Sequence, residues 1–134
     1  MAEGKVSFEL VTPERLLLSQ EADMVVVPGG AGDFGVLPRH APLISTVRPG
    51  TIRLHDGGGD PAEIFVAGGF AEVTPERCTV LAEEAVPLAE LDRAEVEREL
   101  REAREDAADT DDERRRAAAE RRAAVAEAKL AELG

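Results

Sequence analysis

The stretch Gly32-Asp33-Phe34-Gly35-Val36-Leu37-Pro38-Arg39-His40-Ala41-Pro42-Leu43-Ile44 places an acid, an imidazole, a phenyl ring and two prolines within thirteen residues. An imidazole can ligate a metal or donate a hydrogen bond, and a carboxylate can cap a turn or meet a cation. Pro38 and Pro42 each remove a backbone donor and push Leu37 and Ala41 toward extended geometry. The expected outcome is a shaped loop between strands, neither helix nor plain strand, that carries Asp33 and His40 outward on a fixed frame. A loop of that kind usually meets a partner. A metal site at His40 would need further ligands. The chain offers only His55 as a second histidine and no Cys-His cluster, so no metal is expected. Between two prolines, His40 is better suited to a hydrogen bond at an interface or to holding the loop.

Gly30-Ala31-Gly32-Asp33-Phe34-Gly35 also spells G-x-G-x-x-G after the apolar run Met24-Val25-Val26-Val27, with Asp56 at roughly the spacing of a ribose-binding acid. A dinucleotide fingerprint works because its third glycine opens a helix whose N-terminus holds the pyrophosphate. Here Val36-Leu37-Pro38 and then Pro42 prevent a sustained helix, and Asp33 would aim negative charge at a negative ligand. No nucleotide cofactor is expected.

Other chemistry is poorly provided for. There is no Gly-x-Ser-x-Gly, no His-Glu-x-x-His and no phosphate loop with lysine, and serines number three (Ser7, Ser19, Ser45). Glu83 and Glu84 are adjacent in an extended segment and face opposite ways. Cys78, the single cysteine, lies in Cys78-Thr79-Val80-Leu81 and reads as a strand residue in a reducing, intracellular setting. No apolar run approaches the roughly twenty residues of a membrane span, and the N-terminus carries no charged-then-apolar signal. A net charge of −12 disfavours nucleic acid and anionic lipid, and suits a basic protein surface. With four Phe and no Trp or Tyr, stacking platforms for bases or sugars are not expected.

The 134 residues fit one domain with an appendage, and they follow two grammars. Up to Pro87, short apolar runs alternate with Gly and Pro. Val6, Phe8 and Leu10 alternate with polar residues, Met24 to Val27 is a continuous β-branched run, and Asp56-Gly57-Gly58-Gly59-Asp60 has the composition of a hairpin tip. Many short strands at this spacing imply a β-sandwich of about ten antiparallel strands over residues 1–87, or a flattened barrel. From Leu88 onward there is no proline, and the residues are mostly Ala, Glu, Arg and Leu. Asp92-x-x-Glu95 caps one helix, and Thr110-Asp111-Asp112-Glu113 reads as a capping box for a second. Residues 88–134 are thus expected to form an α-helical hairpin, with helices over about 92–108 and 111–133.

Both helices carry a thin apolar stripe: Val96, Leu100, Ala103 and Ala107 on the first, Ala119, Ala123, Ala126, Leu130 and Leu133 on the second. At about 0.8 kcal/mol per buried CH₂, an alanine seam holds its partner weakly. Pairs such as Glu97–Arg101, Arg98–Glu102 and Arg101–Glu105 support the first helix by a few tenths of a kcal/mol each. Such a hairpin can detach and remain helical, as a mobile arm would.

Several segments together carry a family resemblance. They are Phe8-x-Leu10-Val11-Thr12-Pro13-Glu14, Gly32 to Leu43 as quoted above, Arg48-Pro49-Gly50, Gly68-Gly69-Phe70-Ala71-Glu72-Val73, and Thr79-Val80-Leu81-Ala82-Glu83-Glu84-Ala85. In this order they resemble the epsilon-subunit family of bacterial F-type ATP synthases (called delta in mitochondria). The final third is matched by pattern only. The resemblance implies a non-catalytic rotor subunit of the central stalk, peripheral to the membrane on the cytoplasmic face of the bacterial plasma membrane. It would bind the gamma subunit and sit on the ring of c subunits, coupling proton flow to ATP synthesis, without inserting into lipid or binding nucleic acid.

By position in the motif, Asp33, Phe34, Gly35, Pro38 and His40 would lie at the c-ring and gamma interface. Asp also suits the Gly-rich turn itself, but Asp and Phe together exceed what a turn requires. The arm would fold down or rise toward the alpha and beta catalytic subunits. There Arg114, Arg115, Arg116, Arg121 and Arg122 would meet an acidic loop; a solvated, salt-laced helix face is the equal alternative. Some members bind ATP through Ile or Leu-Asp-x-x-Arg-Ala; here Leu91-Asp92 match, but Glu95 and Val96 stand where Arg and Ala belong. That charge reversal argues against tight ATP binding. The rival reading is a free-standing β-sandwich binding module with a regulatory helical arm.

Overall fold

The computed structural model describes residues 4–134. They divide into two compact units, Met1–Pro87 and Leu88–Gly134. In the first, one five-stranded sheet has the order β2-β1-β9-β8-β5, and the other β10-β7-β6-β3-β4. The strands of the first sheet are β1 (Val6–Thr12), β2 (Arg15–Ala22), β5 (Leu43–Thr46), β8 (Phe70–Val73) and β9 (Arg77–Leu81). Those of the second are β3 (Met24–Gly29), β4 (Gly32–Val36), β6 (Gly50–His55), β7 (Ala62–Ala67) and β10 (Glu84–Pro87). Period-two alternation builds the core: Val6, Phe8 and Leu10 of β1 are buried, with Val25 and Val27 of β3, Ile52 and Leu54 of β6, and Val80 of β9.

One pairing departs from the antiparallel expectation. β1 runs parallel to β9, with Phe8 beside Cys78 and Leu10 beside Val80, while the other pairings are antiparallel. A parallel neighbour cannot be joined by a tight turn, so local sequence patterns do not announce it. The chain passes from β7 to β8 through Gly68 and Gly69, at φ +75° and +89°. A Cβ on Gly69 would stand 1.7 Å from the Leu81 carbonyl oxygen, so only glycine fits. Lys5 pairs with Asp23 at 2.7 Å and also with Asp56, tying the start of β1 to two connections. The lysine and the Gly57 N–H hold the Asp23 carboxyl below the usual carboxylate range.

The second unit follows a short 3₁₀ turn, Leu88–Glu90, with α1 (Arg93–Ala108) and α2 (Glu113–Leu133). Asp92 caps α1 by accepting from the Ala94 N–H at 3.0 Å. The second cap corrects the sequence reading. Asp112, not Thr110, accepts from the N–H groups of Arg114 and Arg115, and α2 starts at Glu113. Thr110 instead accepts from the Asp112 N–H at 3.1 Å, a local turn that competes with the box. Val96, Leu100 and Ala103 meet Ala123, Ala126 and Leu130 in the seam between the helices. Ion pairs cross it as well: Asp106–Arg122 at 2.9 Å, Arg104–Glu127 at 3.4 Å and Glu99–Lys129 at 3.7 Å. Of the pairs expected along α1, Arg98–Glu102 closes at 3.9 Å; Glu97–Arg101 and Arg101–Glu105 do not.

Cys78 is wholly buried, and desolvation pushes its thiol up to about 12. Alkylation with iodoacetamide near pH 8 should therefore leave the native chain unlabelled and modify it fully in denaturant. Rapid native labelling would contradict the burial of β9.

Candidate docking surfaces

Within the sandwich unit, the expected long loop is shorter than its sequence suggests. Gly32–Val36 is strand β4, paired with β3, and Leu43–Thr46 is strand β5. The connection proper is residues 37–42. Gly30 to Gly35 form a hairpin tip and a strand, with no helix after Gly35. Phe34 is half-buried against the core, and a Cβ on Gly29 would come within 2.9 Å of its ring. Phe34 therefore helps hold the hairpin as well as edging the surface. Gly35 is exposed beside Met24, whose sulfur would lie 3.5 Å from an added Cβ.

The connection is braced by its backbone. The His40 N–H donates to the Leu37 carbonyl at 3.1 Å, with Pro38 second and Arg39 third at φ +66°. Proline followed by a positive φ is the type II turn pattern, and the third position normally takes glycine. The Arg39 N–H donates to the Pro75 carbonyl at 2.8 Å, fastening the turn to the link between β8 and β9. His40 Nδ1 donates to the Ala41 carbonyl at 2.6 Å, which fixes the protonated ring nitrogen and leaves Nε2 open. His40 thus braces its own loop. Among the described residues, no three His, Cys, Asp or Glu side chains cluster closely enough to hold a metal.

Asp33 is paired within the chain. Its Oδ1 accepts from Arg48 Nη2 at 2.5 Å, while Arg48 Nη1 donates to the Gly29 carbonyl at 2.7 Å. Asp33 lies at the Pro28 end of β4, where the segment after β5 packs, and Phe34 and Gly35 follow it along the strand. Pro38 and His40 lie beyond the other end of β4, where Arg39 is fastened to Pro75. The structure therefore does not gather the five residues at one place. Arg48-Pro49-Gly50 was legible as a motif, but its contact with Asp33 was not.

A second surface escaped the sequence reading. On the outward face of the first sheet, the register aligns Leu16, Val11, Leu81, Phe70 and Thr46 in a row across β2, β1, β9, β8 and β5. Leu16 is 54% exposed, Phe70 46% and Leu81 37%. A register shift between Leu10 and Val11 creates the row: Leu17 and Leu18 pack on the core while Leu16 turns outward.

In the helical unit, Arg116 bonds Glu113 and the Thr110 carbonyl, and Arg122 pairs with Asp106. Arg114, Arg115 and Arg121 pair with no carboxylate among the described residues. Asp106, Asp109, Thr110, Arg115, Ala118 and Arg122 line a shallow recess beside the interhelical turn.

A sandwich with a braced connection and an exposed apolar row, followed by a helical hairpin, defines a docking protein. The family described as "ATP synthase, Delta/Epsilon chain, beta-sandwich domain" matches residues 5–88. An ATP synthase epsilon chain of Paramagnetospirillum magneticum is 55% identical over 131 residues, covering 98% of each chain. One from Rhodospirillum rubrum is 55% identical over 124 residues, covering 92% of each. Among solved structures, a chain from the Euglena gracilis mitochondrial ATP synthase, OSCP/F1/c-ring, matches 100% of this chain and 84% of its own. Its TM-score is 0.84 at 25% identity. A chain of the Tetrahymena thermophila central stalk/c-ring shares the fold at a TM-score of 0.61 and 14% identity, covering 98% of each chain. The chain belongs to the ATP synthase delta/epsilon family.

Among the described residues, Arg39 is the non-glycine residue at positive φ, a conformation costing about 1–2 kcal/mol. Arg39→Gly should stabilise the full chain by up to about 1 kcal/mol in thermal melting, and Arg39→Val should lower the midpoint.

Proposed function

We propose that this chain is the non-catalytic rotor subunit of the central stalk in an F-type ATP synthase. It links gamma to the c-ring and so couples proton translocation to ATP synthesis. The observation that carries this reading is the end-to-end match with epsilon chains, 98% of each chain at 55% identity. One solved chain that it resembles comes from an OSCP/F1/c-ring assembly. Among the described residues no helix is long and apolar enough to cross a membrane, which fits a peripheral subunit. We place it on the cytoplasmic face of the bacterial plasma membrane, as its bacterial relatives suggest.

The two surfaces of the sandwich unit suit different neighbours. The apolar row through Val11, Leu81 and Phe70 suits a protein face that excludes water, and we assign it to gamma. We assign Asp33, with Phe34 and Gly35 beside it on β4, to the basic polar loops of the ring, and Pro38 and His40 of the connection to the same c-ring and gamma interface. Arg114, Arg115 and Arg121 carry charge that no side chain of the hairpin neutralises. With Arg116 and Arg122 they are the cationic positions we assign to acidic loops of the alpha and beta subunits, where contact would restrain ATP hydrolysis.

Placing a carboxylate in the apolar row strands a charge in a dry interface. Phe70→Glu in the full chain should weaken gamma binding by at least about 30-fold in calorimetry, the scale of an aromatic hot spot, with little change in melting temperature. Unaltered affinity would remove gamma from this face. Deleting residues after Pro87 from the assembled enzyme should raise its ATPase rate. An unchanged rate would leave the hairpin without an inhibitory role.

A further inference from the structure

Arg48 stands between β5 and β6, yet its contacts all lie on the β3–β4 hairpin. Its N–H donates to the Pro28 carbonyl at 2.9 Å, and Pro28 is the register partner of Asp33. Its guanidinium forks, one nitrogen on the Gly29 carbonyl at 2.7 Å and another on Asp33 Oδ1 at 2.5 Å. Asp33 Oδ2 makes no bond within the described residues and faces solvent on a side chain 51% exposed. Arg48 itself is 43% exposed, and ion pairs that open add little to folding stability. What such a fork does supply is orientation. A carboxylate held at one oxygen by a planar donor that is itself anchored to backbone has few rotamers left.

We propose that Arg48 is the positioning residue for Asp33, holding Oδ1 so that Oδ2 meets a cationic side chain of the c-ring in a fixed direction. The inference rests on the reading that this end of the sandwich meets the ring. Immobilising a side chain before contact spares the ordering cost of docking, an effect of about three- to tenfold in affinity. Lysine at this position would reach one acceptor rather than two and would restore only part of the effect.

The test uses the full-length chain bound to gamma, titrated onto the purified c-subunit ring, with thermal melting of each variant alongside. Arg48→Gln should weaken binding three- to tenfold with little change in melting temperature, and Arg48→Lys should fall between. In an Asp33→Asn background, Arg48→Gln should add nothing, because there is no longer a carboxylate to aim. If Asp33→Asn weakens binding and Arg48→Gln does not, the positioning role fails while the ring contact stands. If neither matters, the ring contact fails and takes the inference with it. Equal losses in both backgrounds, a gain in affinity, or collapse of the fold in Arg48→Gln would each overturn the proposal. They would make Arg48 a direct contact, a competitor or a structural strut.

Discussion

Strands β4 and β5 are neighbours in sequence but edges of different sheets, and six residues carry the chain between them. Packed sheets lie about 10 Å apart, and six residues reach about 20 Å when fully extended, so little slack remains once the chain also turns. Pro38, the positive φ at Arg39 and the bond from the Arg39 N–H to Pro75 are the means by which the crossing is made. The connection inherits its rigidity from that constraint. Val36 on one side and Leu43 on the other, the residues that flank the connection, are held in relation because it cannot swing.

The hairpin rests on different physics. Its seam is built from Val96, Leu100, Ala103, Ala123, Ala126 and Leu130, supported by ion pairs that are largely open to solvent. Alanine offers little area to lose, so the helices depend heavily on their Asp caps and their own propensity. Two units in one chain thus divide their stability between a buried sandwich core and local helix formation.

Features with a local cause were legible from the sequence. Alternation in Val6–Leu10 and the β-branched run from Met24 gave strands, and Asp92 with Glu95 gave the start of α1. The features that escaped join residues distant in sequence or depend on register. Glycines at 32 and 35 masked the inward alternation of Phe34 and Val36, so β4 read as loop. Thr110 satisfied a capping pattern, but Asp112 stood closer to the helix and took both N–H groups. The apolar row depends on a shift at Leu10 and on pairing between distant strands, and the fork of Arg48 spans fifteen positions. No periodicity encodes such contacts.

The parallel pair has a consequence for biosynthesis. β1 leaves the ribosome well before β9, so its place between β2 and β9 is vacant on one side until Cys78 and Val80 emerge. Contacts so far apart in sequence are slow to form. Until then Phe8 and Leu10 lack part of their cover, and a nascent chain stalled before β9 would present a greasy half-sheet to chaperones.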